Sequence, residues 1–121
     1  MVTVLVVDDE PLVALTAAMV LSDAGFETLE AHDGDRALTM LAQRTVDVVV
    51  TDYMMPRRNG LELALALRAD PVHAGIPVVL VSAVPGDVVS RNPGLFAAFL
   101  QKPYGADALV NAVRSLTADA R

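Results

Sequence analysis

Five runs of apolar and mostly β-branched residues recur along the chain, each of a length that suits a buried strand. They are Val2–Val7, Phe26–Ala31, Val46–Asp52, Ile76–Val81 and Phe96–Gln101. The third run opens with four valines in five residues. An apolar run of this kind favours a central strand that is covered on both faces. We therefore expect the sheet to be built around the third run.

Between these runs, apolar residues recur at helical spacing, and proline, glycine and capping residues mark the helix ends. The predicted helices are Leu12–Ala24, Asp33–Gln43 with Asp33 as the cap, Asn59–Ala69, Gly86–Arg91 and Ala106–Thr117. The fourth helix is short because Pro93 and Gly94 follow it. This alternation predicts an α/β fold, a doubly wound five-stranded parallel sheet with helices on both faces.

Composition narrows the class of protein. With 121 residues, 54% of them hydrophobic, the chain is predicted to form a single domain, residues 1–121. The lack of cysteine excludes disulfides and thiolate metal sites. The net charge of −6 argues against direct nucleic-acid binding, which needs clustered basic residues. The absence of a signal peptide and of any apolar run near ~18 residues predicts a cytoplasmic protein without membrane contact.

Reactive side chains follow four of the five predicted strands. They are Asp8 and Asp9 after the first strand, Asp52 at the end of the third, Ser82 after the fourth and Lys102 after the fifth. Lys102 is the only lysine, and the other eight basic residues, counting Lys and Arg, are all arginine. The carboxyl ends of parallel strands share one edge of the sheet, where open α/β folds bind their ligands. These five side chains are therefore expected to converge.

The predicted cluster indicates metal and phosphoryl chemistry. Three carboxylates repel one another and are best satisfied by a hard divalent cation such as Mg²⁺. Lys102 offsets only one of the three negative charges, so a metal is chemically implied. A cation beside a carboxylate, a lysine and a hydroxyl group suits a phosphoryl group. A carboxylate can also act as the nucleophile and form an acyl phosphate.

The motifs around these residues resemble those of the receiver domains of response regulators in two-component signalling. The matching segments are Val6-Val7-Asp8-Asp9-Glu10-Pro11, Thr51-Asp52-Tyr53-Met54-Met55-Pro56, Asn59-Gly60, Ser82-Ala83 and Phe99-Leu100-Gln101-Lys102-Pro103-Tyr104. The resemblance covers almost the whole chain and implies a flavodoxin-like strand order of 2-1-3-4-5. It also implies a phosphorylated signalling domain, whose only catalysis is its own phosphorylation and slow dephosphorylation.

The resemblance implies a role for each residue that matches the family motif. Asp52 is expected to accept a phosphoryl group from a histidine kinase or a histidine phosphotransfer protein. Asp8, Asp9 and Asp52, with the backbone carbonyl of Met54, are expected to hold Mg²⁺.

The resemblance also assigns a switch. Lys102 is expected to pair with the phosphoryl oxygens, and Ser82 to hydrogen-bond one of them. Phe99 occupies the position of the family's aromatic switch residue, which becomes buried when Ser82 moves inward. Pro103 is expected to follow a cis peptide bond.

Three features depart from the family pattern. Arg57 and Arg58 make the loop after Asp52 more basic, and we interpret them as a surface for an acidic partner. Pro93 and Gly94 shorten the fourth helix, which predicts an altered output face. The last strand and helix lack the charge pattern of receivers that dimerise to bind DNA. A phosphorylation-dependent homodimer is left open, and the downstream protein target is not identified.

Three rival classes are less consistent with the sequence. A phosphatase of the haloacid dehalogenase kind needs an Asp-x-Asp-x-Thr pattern after the first strand, where this chain has Asp8-Asp9-Glu10-Pro11. A flavodoxin-like cofactor binder needs a phosphate loop rich in serine, threonine and glycine at the same place. A docking module that is not phosphorylated usually lacks the acceptor or the lysine, and both are present here.

Overall fold

The computed structural model describes residues 1–84 and 86–117 as five strands that alternate with five helices. The strands are β1 Thr3–Val7, β2 Glu27–Ala31, β3 Val48–Asp52, β4 Val78–Ser82 and β5 Ala98–Gln101. The helices are α1 Pro11–Asp23, α2 Gly34–Gln43, α3 Gly60–Ala69, α4 Asp87–Ser90 and α5 Ala106–Thr117.

All the strands pair in parallel, in the order β2-β1-β3-β4-β5. The α/β class, the parallel sheet and the 2-1-3-4-5 order are therefore confirmed. β3 is the central strand, and its four residues from Val48 to Thr51 are buried. Because the strands are parallel, the carboxyl ends of β1, β3, β4 and β5 lie along one edge of the sheet.

The sheet has an apolar core on each face, because successive strand side chains point to opposite sides. On one face, Val4 and Val6 pack in a cluster with side chains of α1 and α5. On the other face, Leu5 and Val7 pack in a cluster with side chains of α2 and α3. Every residue of β1 is buried. This two-sided cover explains why β1 and β3 are runs of apolar residues without polar alternation.

Local hydrogen bonds set the starts of α2 and α3, and a glycine sets the end of α1. The Asp33 carboxylate accepts a hydrogen bond from the Arg36 backbone N–H, so Asp33 caps α2 as predicted. Asn59 and Glu62 form a reciprocal capping box that opens α3. Gly25, with a φ of 100°, follows α1 and ends it as expected.

Several strand boundaries differ from the predicted ones by one or two residues. β4 begins at Val78, two residues later than expected, because the Ile76 N–H bonds the His73 carbonyl in a turn and Pro77 has no N–H. β5 begins at Ala98 rather than Phe96. Within residues 1–84 and 86–117, no helix has the length and apolar character needed to cross a bilayer.

Candidate functional site

Asp8 and Asp9 lie where β1 ends and α1 is about to begin. Asp8 is buried, whereas Asp9 is exposed. The Asp8 backbone N–H donates to the Ala31 carbonyl of β2, and its Oδ1 accepts from the Glu10 N–H over 3.0 Å. The Asp8 carboxylate is therefore fixed in orientation at the edge of the sheet.

Asp52 ends β3 and faces the only lysine of the chain. Lys102 Nζ lies 3.5 Å from Asp52 Oδ1 and 3.4 Å from Asp8 Oδ2, so one ammonium group forms ion pairs with two carboxylates. The Lys102 backbone N–H donates to the Ser82 carbonyl, which ties this loop to the end of β4. Side chains from three different strand ends thus meet at one point.

The charges at this point are incompletely balanced. Burial raises the pKa of Asp52 above its usual value, and the neighbouring Asp8 adds to the rise, although Lys102 opposes it. Burial alone would lower the pKa of Lys102, but the carboxylates of Asp52 and Asp8 raise it above its ordinary value. The fold therefore holds an excess of negative charge that a cation would relieve.

The carboxylates are arranged as a metal-binding group. One oxygen from each of Asp8, Asp9 and Asp52 lies within 4.8 Å of the others. Oxygen donors of this charge and number suit a hard divalent cation such as Mg²⁺, which binds proteins through a few carboxylates and keeps water in its remaining positions. The residues present therefore fit the metal that the sequence implied.

Ser82 and Phe99 lie on neighbouring strands beside this group. Ser82 is buried, and its Oγ accepts a hydrogen bond from the Val84 N–H over 3.2 Å. Phe99 is half-buried on β5, where its ring packs on Gly86. A Cβ built on Gly86 would lie 3.3 Å from two ring carbons of Phe99. Because Gly86 has no side chain, the Phe99 ring can pack closely against the segment that follows Ser82.

The loop after Asp52, residues 53–59, carries Met54 and the two arginines. Our interpretation of these arginines as a surface for an acidic partner does not match their contacts. Arg57 donates to Asp33 over 2.6 Å and Arg58 to Asp35 over 2.9 Å, so both pair with acids of the same chain. The sequence does not predict these pairs, because they join residues 24 and 23 positions apart, and only the folded sheet brings the loop after Asp52 next to the start of α2.

Tyr104 and the peptide bond before Pro103 complete the site. The Lys102–Pro103 peptide bond is cis, as the resemblance implied. Burial raises the pKa of Tyr104, which lines the space behind Asp8 and Asp52. The sequence alone assigns no role to Tyr104, although its position directly after Lys102-Pro103 indicates that it lies beside the site.

An apolar groove of about 750 Å³ adjoins the site. Its lining runs from Glu10 and Lys102 along α1 to Tyr104 and α5. On α1 itself, the exposed side chains include Leu12, Leu15 and Met19, at a spacing that places them on one face. The site is therefore flanked by a surface more apolar than is usual for a helix in contact with water.

Comparison with known proteins identifies the family. Residues 4–114 match the model of the response regulator receiver domain. This chain belongs to that family. The receiver domain is 36% identical over 115 residues to the DNA-binding response regulator MtrA of Mycolicibacterium smegmatis, a match that covers 93% of this chain and 49% of the relative. It is 37% identical over 118 residues to the probable transcriptional regulatory protein TcrX of Mycobacterium tuberculosis, with 95% and 49% coverage.

Solved structures give the same result. The receiver domain of the Francisella response regulator 1452 superposes with a TM-score of 0.90 at 28% identity, with full coverage of both chains. The response regulator TrrA of Thermotoga maritima, solved in complex with Mg(2+)-BeF, superposes with a TM-score of 0.84 at 27% identity, covering 96% of this chain and 99% of that one. The chain spans about half the length of the two curated relatives named above. It is a receiver domain of two-component signalling.

Proposed function

We propose that this receiver domain accepts a phosphoryl group on Asp52 in a Mg²⁺-dependent reaction. The observation that supports it best is the meeting of Asp8, Asp9 and Asp52 within 4.8 Å, with Lys102 between two of them. Asp8, Asp9 and Asp52, together with the Met54 carbonyl, would hold the metal. A bound cation supplies charge neutralisation, which lets an anionic acceptor meet an anionic phosphoryl group.

The residues of the chain divide the transfer between them. A carboxylate oxygen of Asp52 forms a bond to phosphorus while the bond from phosphorus to the donor nitrogen breaks, and the donor imidazole keeps that electron pair. Lys102 balances negative charge on the transferred oxygens. Ser82 donates a hydrogen bond from its hydroxyl group to one of them, while its Oγ continues to accept from the Val84 N–H.

The donor is proposed to be a histidine kinase or a histidine phosphotransfer protein, which docks on the exposed face of α1. The apolar groove beside α1 opens next to Lys102, so a donor bound on this face would lie beside the site. A donor helix with apolar side chains could cover Leu12, Leu15 and Met19 and bring its histidine to Asp52. For the proposed metal and phosphoryl site itself, and not for the docking surface, TrrA provides a parallel, because that receiver was solved in complex with Mg(2+)-BeF.

The proposal is tested by intact-mass measurement after incubation with acetyl phosphate and Mg²⁺. We expect one phosphoryl group on the wild type and none on Asp52→Asn, which keeps the shape of the side chain but lacks the anionic nucleophile. Asp23→Asn, which changes an exposed aspartate at the end of α1, serves as the matched control and should be labelled fully. Full labelling of Asp52→Asn, or labelling that is unaffected by EDTA, would overturn the assignment.

A further inference from the structure

The loop of residues 53–59 is joined to the N-terminal turn of α2 by two neighbouring ion pairs. Arg57 Nη1 donates to Asp33 Oδ2, and Arg58 Nε donates to Asp35 Oδ1. The Asp33 side chain is only 15% exposed. The Arg57 side chain is 69% exposed, so solvent screens the pair in part and a modest contribution is expected of it.

The backbone of the loop also packs directly against α2. Arg57 has a φ of 65°, in the left-handed region that a side chain with a β-carbon disfavours. Such a conformation persists where the surrounding contacts fix it, and it is found at functional sites more often than elsewhere. A Cβ on Gly34 would lie 2.5 Å from the Arg58 carbonyl oxygen, so the loop and α2 meet with no room for a side chain.

Both ends of the loop are also fixed. The Gly60 N–H donates to the Tyr53 carbonyl over 2.8 Å, and the capping box of Asn59 and Glu62 sets the start of α3. The residue between these fixed points that bears on the site is Met54, two positions after Asp52. Its carbonyl direction depends on the path that the loop takes toward α2.

We propose that Arg57 and Asp33 are positioning residues for the divalent cation. By holding the loop against α2, they fix the Met54 carbonyl beside the carboxylates before the cation binds. A loop that is already ordered loses less conformational entropy on binding, so the affinity is higher. This inference rests on the proposed function, because Met54 is a metal ligand only within that proposal.

The test is the Mg²⁺ dissociation constant, measured by titration calorimetry without any phosphodonor. Asp33→Asn removes the charge but keeps a good helix cap, and Arg57→Asn removes the ion pair with a residue that tolerates the left-handed region. Each variant should bind Mg²⁺ about three- to fivefold more weakly, in proportion to one partly exposed ion pair. The double variant should lose no more than either single one, because both break the same contact. Arg57→Lys, which keeps the charge, should recover most of the affinity.

The control is Arg44→Gln, which breaks a longer and more exposed ion pair with Glu27, where the amino end of β2 lies, and should leave Mg²⁺ affinity unchanged. Urea unfolding in EDTA should show similar stability for this control and for Asp33→Asn. Wild-type affinity in Asp33→Asn and Arg57→Asn, additive losses in the double variant, or an equal loss in Arg44→Gln would each overturn this inference alone. A wild-type protein that binds no Mg²⁺ would overturn the proposed metal site as well.

Discussion

At the scale of single residues, the surroundings of two aspartates in this domain shift their pKa values in opposite directions. Asp33 accepts a hydrogen bond from the Arg36 N–H, and this bond, with the Arg57 guanidinium, holds its pKa below the usual 3.8. Asp52 is buried beside Asp8, and its pKa is raised. The first carboxylate therefore stabilises the fold when it is ionised, whereas ionisation of the second opposes folding.

The opposite signs lead to a prediction for Asp33. Because the pKa of Asp33 is lower in the folded state, its ionised carboxylate contributes fully to the free energy of unfolding above about pH 4. This contribution is lost as pH falls through the pKa of the folded state. Asp33→Ala should lower the free energy of unfolding by about 1 kcal/mol at pH 7, the usual value of a helix cap. At pH 3 the difference from the wild type should shrink.

Urea unfolding at the two pH values measures this effect. Asp33→Asn is the matched variant, since asparagine also caps helices, and its loss at pH 7 should be smaller than that of Asp33→Ala. A loss in Asp33→Ala that is equal at pH 7 and pH 3 would show that the carboxylate charge contributes nothing.

At the scale of elements, the sequence predicted helices and strands well where the signal is local. The capping residue Asn59, the stop at Gly25 and the valine run of β3 depend on neighbours within a few positions, and the structure has each of them as expected. The sequence predicts starts for β4 and β5 that are two residues too early, because the apolar pattern continues into turns whose hydrogen bonds the pattern does not reveal. The sequence does not predict the ion pairs of Arg57 and Arg58, because they join the loop after Asp52 to the distant start of α2.

The segment that follows Ser82 is expected to report phosphorylation. Ser82 ends β4, the Val84 N–H is bound to its Oγ, and the Phe99 ring on β5 packs on Gly86. A shift of the Ser82 hydroxyl toward a phosphoryl oxygen would therefore move the segment bound to it, and with that segment the contact between Gly86 and the Phe99 ring on β5. α4 spans only Asp87–Ser90, so few helical hydrogen bonds resist such a shift.

Hydrogen exchange with and without beryllofluoride and Mg²⁺ tests this coupling. We expect backbone protection to change between residues 84 and 100 as well as around Asp52, because the ligand favours one of two arrangements of the segment. Asp52→Asn should show neither change. If protection changes only near Asp52, the switch at Ser82 and Phe99 is wrong and the signal leaves by another surface.

At the scale of the whole molecule, the parallel sheet is what assembles the site. Asp8 and Lys102 are 94 positions apart in the sequence, yet their side chains lie 3.4 Å apart at the edge of the sheet. The sequence could predict that these residues meet, because every strand of a parallel sheet presents its carboxyl end at the same edge. It could not predict the distances or the unequal burial of Asp8 and Asp9, which depend on how α1 and the loops pack.

This assembly predicts that the metal stabilises the whole domain. On the proposed function, Mg²⁺ would bind the folded cluster and not the separated aspartates of the unfolded chain, and it would therefore shift the folding equilibrium by mass action. At about 100 times the dissociation constant the gain is about 2.7 kcal/mol, on the order of 10 °C in melting temperature for a domain of this size. In EDTA at pH 7, Asp52→Asn should melt above the wild type, because it removes a buried charge whose ionisation opposes folding.

Thermal melts in EDTA and in Mg²⁺ at matched ionic strength measure both effects. Asp52→Asn should gain much less from Mg²⁺ than the wild type, since it has lost one of the three carboxylates. Asp23→Asn should behave as the wild type in both buffers. A wild-type melting temperature that does not respond to Mg²⁺ would show that the carboxylates form no metal site. An Asp52→Asn variant that melts below the wild type in EDTA would mean that Lys102 stabilises the ionised Asp52 by more than its burial costs. In that case the edge of the sheet holds a balanced ion pair, and its excess negative charge is too small to favour a cation.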